Sequence, residues 1–165
     1  MANNDVLRRV RYIFDLSDKQ MMATFASADL IVTREQLSNW LKRDDHADYI
    51  NCTDVQLATF LNGFINTRRG KREGEQPQPE KKITNNMVFR KLRIALDLKD
   101  DDVLETLLLA DLKISKHELS AFFRKPGHKH YRQCKDQILR NFLAGLQLLH
   151  RPAAVEQSES DFSWE

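Results

Sequence analysis

The sequence predicts an all-α protein: two tandem, structurally similar four-helix units in helix-turn-helix-like order, joined by a flexible polar linker. Three observations carry that prediction. Residues 3–69, laid without a gap on residues 85–151, match at about one position in three at a constant offset, Asn3 falling on Asn85 and Arg69 on Arg151. Apolar residues recur at three- and four-residue steps in both copies, the period of a helix with one buried face. The same Ser/Thr-x-x-Glu/Gln capping box opens the same helix twice.

The first helix of each copy is read from Val6, Leu7, Val10, Ile13 and Phe14, echoed by Val88, Phe89, Leu92, Ala95 and Leu96. Asn4 and Asn86 stand where an N-cap is expected, since a short side-chain oxygen takes up an orphan amide of the first turn. Arg8/Arg90 and Arg11/Arg93 fall off the apolar stripe, and Asp15 and Asp97, four residues beyond the second arginine, are expected to form weak surface pairs with it. A second helix opens near Ser17, with Gln20 at capping-box spacing, and near Asp100 in the other copy. Its apolar set is Met21, Met22 and Phe25, or Val103, Leu104, Leu107 and Leu108.

The third helix has the best-marked start. Thr33 with Gln36, and Ser115 with Glu118, have the spacing of a reciprocal cap; Val32/Leu37 and Ile114/Leu119 occupy the two places of a hydrophobic staple. Leu37, Trp40 and Leu41, or Leu119, Phe122 and Phe123, face inward. The opposite edge carries Arg34, Ser38 and Lys42, or Lys116, Ser120 and Arg124. The loop that follows inverts its charge between copies: residues 43–49 are rich in aspartate, residues 125–132 in lysine, histidine and arginine. The fourth helix buries Leu57, Phe60, Leu61 and Phe64, or Leu139, Phe142, Leu143 and Leu146. Gly63 and Gly145 interrupt it at equivalent places, at about 1 kcal/mol each against alanine, so another backbone is expected to pack close there.

These readings divide the chain into a first helical repeat at 1–67, a flexible basic and proline-bearing linker at 68–83, a second repeat at 84–151 and a disordered acidic tail at 152–165. Phe162 and Trp164 are set among the acids of that tail. A unit of that size buries only about 60% of its unfolded surface, so the copies are expected to share a core or an interface. Lys+Arg against Asp+Glu stand at 7 to 9 over residues 1–65, 6 to 3 over 66–84, 12 to 8 over 85–150 and 1 to 4 in the tail. A polyanion should therefore meet the second copy and the linker. No stretch approaches the roughly 18 apolar residues of a membrane span and no hydrophobic leader opens the sequence, so a cytoplasmic protein is expected. Its two cysteines are then expected as free thiols.

His46 with Cys52 and His128 with Cys134 are the residues closest to metal or nucleophile chemistry. Neither copy has Cys-x-x-Cys spacing, and neither has an orienting third group or a glycine-rich oxyanion turn. Phosphate-cradling glycine loops and paired-carboxylate motifs are absent too, so the expectation is a protein with no enzymatic activity, no metal and no cofactor. The positive signal is the order of parts, with a basic edge on the third helix as in helix-turn-helix units. It nominates Lys116, Ser120, Arg124, Lys125, His128, Lys129, His130 and Arg132 for nucleic acid. The inverted charge nominates Asp44, Asp45, His46 and Asp48 for an alternative, a protein-interaction adaptor engaging a partner or a second copy.

The runs Asn3-Asn4-x-Val6-Leu7-Arg8-Arg9-Val10-Arg11, Leu16-Ser17-Asp18, Leu37-Ser38-x-Trp40-Leu41-Lys42 and Leu61-Asn62-Gly63, with their echoes in the second copy, resemble the YehS-like family of uncharacterised bacterial proteins. The resemblance implies a small cytosolic protein built of two copies of one helical domain. It implies no activity and assigns no site.

Overall fold

The computed structural model describes residues 1–152, within which every regular element is an α-helix. The first compact unit, Met1–Leu98, holds α1 (Asn3–Ile13), α2 (Asp18–Ser27), α3 (Arg34–Leu41), α4 (Asp54–Arg69) and α5 (Asn85–Ala95). The second begins at Lys99 and holds α6 (Asp100–Leu109), α7 (Lys116–Phe122) and α8 (Asp136–His150). The tandem all-α architecture is thus the one the sequence predicts. The expected tail, beyond Pro152, lies outside the described residues, Phe162 and Trp164 with it.

Helix starts follow the predicted chemistry. The Gln36 amide donates to Thr33 Oγ1 at 3.1 Å while the Thr33 amide donates to Gln36 Oε1 at 2.9 Å; Ser115 and Glu118 repeat the arrangement at 3.1 Å each way. Ser17 with Gln20 forms a third box, and Thr53 with Gln56 a fourth that opens α4. Asn4 and Asn86 are not caps. Both lie inside their helices, α1 being preceded by Ala2 and α5 by Thr84, whose hydroxyl takes the cap role. Asn4 is instead a buried tie, donating from Nδ2 to the carbonyls of Trp40 and Ile50 at 2.9 Å and accepting the Cys52 amide at Oδ1 at 2.9 Å. It pins α1 to the end of α3 and to the loop leading into α4.

Helix ends obey a rule carried by four Asp-Leu dipeptides. Asp15, Asp29, Asp97 and Asp111 all adopt positive φ, between 51° and 68°. In each case the leucine amide reaches back to the carbonyl five residues earlier, as Leu16 does to Arg11 and Leu98 to Arg93, and the aspartate amide to the carbonyl three earlier. This is the Schellman arrangement, with aspartate in the left-handed place glycine usually takes. The expected Arg11–Asp15 surface pair gives way to it: Arg11 meets Asp18 at 3.2 Å, and Asp97 meets Arg69 at 2.8 Å.

The two glycines mark helix crossings. A Cβ on Gly63 would lie 1.9 Å from the Thr24 carbonyl oxygen on α2, and one on Gly145 would lie 2.0 Å from the Thr106 oxygen on α6. The repeated glycine is therefore the price of bringing α2 onto α4, and α6 onto α8, backbone to backbone. Around the first crossing an aromatic chain fills the core: Phe25 lies 5.4 Å from Trp40 and 5.1 Å from Phe60, and Phe14 lies 5.1 Å from Phe64. In the second unit Val103, Leu107, Leu119, Leu139, Leu143 and Leu146 are buried.

The compact-unit boundary falls one helix beyond the repeat boundary. Helix α5 opens the second copy, yet it packs on α4 of the first. Buried Ala58, Thr59 and Asn62 give α4 a second covered face, and Lys91 of α5 donates to Asn62 Oδ1 at 2.6 Å. The copies therefore share packed structure, as their small size required. The expected linker begins two residues early, since Arg68 and Arg69 close α4; the rest of it has no helix, but its composition understates how firmly it is held. Gln76 is buried and accepts from Asn66, Glu80 pairs with Lys91 at 3.0 Å, and the Ile83 amide donates to Asp54.

Candidate functional site

The segment after the third helix is built the same way in both copies. In the first, the His46 amide donates to the Arg43 carbonyl, the Tyr49 amide to His46 and the Ile50 amide to Asn39. In the second, His128 donates to Lys125, Tyr131 to His128 and Arg132 to Ala121. The repeated histidine shapes this turn: His46 Nδ1 accepts the Asp48 amide and His128 Nδ1 accepts the His130 amide, each at 3.0 Å. That bond places the proton of a neutral ring on Nε2.

On this shared backbone the second copy forms a cleft of about 380 Å³, lined by His117, Glu118, Ala121, Lys129, His130, Tyr131 and Arg132. The His117 and His130 rings meet edge-on at 6.3 Å, and His128 and His130 lie 5.5 Å apart. Glu118 is held below the usual carboxylate range, first by the Ser115 amide and hydroxyl and then by the Arg132 and His117 charges, so it stays ionised. The equivalent positions of the first copy are Glu35, Gln36, Asn39, Ala47, Asp48, Tyr49 and Ile50. Each of the four basic side chains is replaced there by a neutral or acidic one.

Of the eight residues nominated for nucleic acid, Lys129, His130 and Arg132 line the cleft, and His128 holds the turn beneath them. Lys116 stands at the start of α7, 3.7 Å from Asp101, and Ser120 donates to the His117 carbonyl. Arg124 and Lys125 are exposed beyond the helix end and outside the cleft lining. The charge thus gathers on the loop beyond α7, not along its face. Sequence reading missed His117, Tyr131 and Ala121. The available signal was the pairing of His117 with Glu35 and of Ala121 with Asn39 across the repeat.

The acidic counterpart carries its own counter-charges, Asp48 lying 3.8 Å from Lys42 and Asp45 lying 4.0 Å from Arg43. Cys52 and Cys134 are both buried, and burial, reinforced by Asp54 and Asp136, pushes each thiol up to about 12. A thiol held protonated is a poor nucleophile and a poor ligand. Among the described residues, no three His, Cys, Asp or Glu side chains gather into a metal-holding group.

No helix among the described residues is long and apolar enough to cross a membrane. The family model described as "Protein of unknown function (DUF1456)" matches twice, at residues 3–70 and 85–151. The chain is similar to the "Uncharacterized protein YehS" of Escherichia coli (strain K12), 42% identical over 147 residues that cover 88% of this chain and 94% of that one. No solved structure matches.

Proposed function

The chain belongs to the DUF1456 family of proteins of unknown function, whose description names no activity, and we propose from its own surface chemistry that it is a non-enzymatic binding protein holding nucleic acid on its second repeat. One observation supports the reading most directly. Where the first copy has Glu35, Ala47, Asp48 and Ile50, the second has His117, Lys129, His130 and Arg132 around a cleft on the same turn. An unchanged scaffold with its charge replaced favours a phosphate-bearing ligand, and Lys116, Arg124 and Lys125 extend the basic surface beyond the cleft.

The test is fluorescence titration of labelled oligonucleotides with the full chain at about 50 and about 200 mM salt. Micromolar binding that weakens about tenfold or more across that range is expected, and Lys129→Glu should lower the affinity and flatten the salt slope. Absence of salt-sensitive binding would end the proposal.

The acidic loop favours a second reading, a protein-interaction adaptor, because Asp44, Asp45 and Asp48 stand exposed where the other copy is basic. Changing the three to lysine should alter assembly size or the proteins retained in a pull-down. If neither changes, that reading fails.

A further inference from the structure

We propose that the cleft receives one unpaired nucleotide of a single strand, its phosphodiester held by Lys129 and Arg132 and its base laid against Tyr131 and His130. The inference rests on the nucleic-acid reading above and names the form of nucleic acid that the site fits.

Size points first to a single nucleotide. Ligand clefts run from about 300 to about 1,000 Å³, and at about 380 Å³ this one belongs with the smallest. Charge separates a strand from a free nucleotide. Counted with neutral imidazoles, Lys129 and Arg132 against Glu118 leave the lining with a net charge of +1. That matches the single negative charge of a phosphodiester, whereas a phosphomonoester at about −1.5 to −2 would be left partly uncompensated beside an ionised Glu118.

Ring chemistry separates a single strand from a duplex. Tyr131, His130 and His117 bring flat side chains to the cleft, and unpaired bases are gripped by stacking on such rings. The duplex alternative needs a helix with its basic edge free to enter a major groove. Here α7 has seven residues, its Lys116 lies within ion-pair distance of Asp101, and the cations stand on the loop beyond it. The first copy provides an internal control. Tyr49 remains, but Asn39 stands in place of Ala121 and accepts from Lys42, Ala47 and Ile50 replace the cations Lys129 and Arg132, and Asp48 replaces His130.

The experiment uses the full chain with an end-labelled single-stranded dodecamer and its duplex, each competed by adenosine monophosphate and by inorganic phosphate. The single strand should bind about tenfold tighter than the duplex, with neither small competitor displacing it at equal concentration. His130→Ala and Tyr131→Ala should each weaken single-strand binding about tenfold, as loss of one stacked base does, while changing duplex binding less than twofold. His130 is exposed, so its variant tests the site even if Tyr131→Ala fails to fold. Equal binding of strand and duplex, unmoved by His130→Ala but weakened by Lys129→Glu, would overturn the inference and leave the nucleic-acid reading standing. Displacement by adenosine monophosphate or phosphate at equal concentration would overturn it in favour of a free phosphorylated ligand. Binding of neither oligonucleotide would remove both.

Discussion

Aspartate in the left-handed region gives up some backbone comfort to end a helix, and four of them do so here. At Asp29 the backbone carries two Schellman bonds, from its own amide to Ala26 and from the Leu30 amide to Phe25. Glycine enters that region without a Cβ penalty, so Asp29→Gly should raise stability by about 0.5 kcal/mol once its extra unfolded freedom is deducted. Asp29→Ala should cost about 1 kcal/mol. Urea midpoints of the two variants decide the matter, and a midpoint unmoved by Asp29→Ala would reject the capping role. Side-chain pairing rules had assigned Asp15 to Arg11 because four-residue spacing is visible in a sequence and a backbone dihedral is not. The dipeptide Asp-Leu, recurring just past four apolar runs, was the visible clue. Asn4 misled for a similar reason: a short amide near a helix start looks like a cap, and only the folded loop brings Trp40, Ile50 and Cys52 within its reach.

Caps made the starts of the second and third helices readable, since a capping box spans only four residues and needs no tertiary partner. The glycine at each crossing was readable too, as a repeated local cost that demanded a return. Its magnitude comes only from the structure. The atom facing the missing Cβ is a backbone carbonyl that no rotamer change can move aside, so Gly63→Ala should destabilise by about 3 kcal/mol, the upper end of overpacking effects. Gly145→Ala meets Thr106 in the same way and should behave alike. Thermal melts of both variants provide the check; a loss below about 0.5 kcal/mol would mean the helices slide apart freely. The cleft beside α7 was less legible. Lys129, His130 and Arg132 announce charge, but a concavity arises only when the Arg132 amide closes on the Ala121 carbonyl, a pairing with no local sequence signature.

The offset between repeat boundary and compact-unit boundary governs the behaviour of the whole chain. Helix α4 is buried on two faces because α5 covers the second, whereas on α8 the counterparts of Ala58, Thr59 and Asn62 are exposed Arg140 and part-buried Asn141 and Ala144. A fragment ending at residue 83, the first repeat with its linker, uncovers that second face and strips Glu80 of Lys91. It should unfold at lower urea than the full chain and associate as its concentration rises, which sedimentation would detect. A fragment as stable and monomeric as the full protein would show α5 to be dispensable to the first unit. The seam where the chain was copied is therefore not one where a gene can be divided. A recombination event that kept only the first module would also discard the helix that shields it, so once α5 had settled on α4 the doubled gene could not lose its second half without harm to the first.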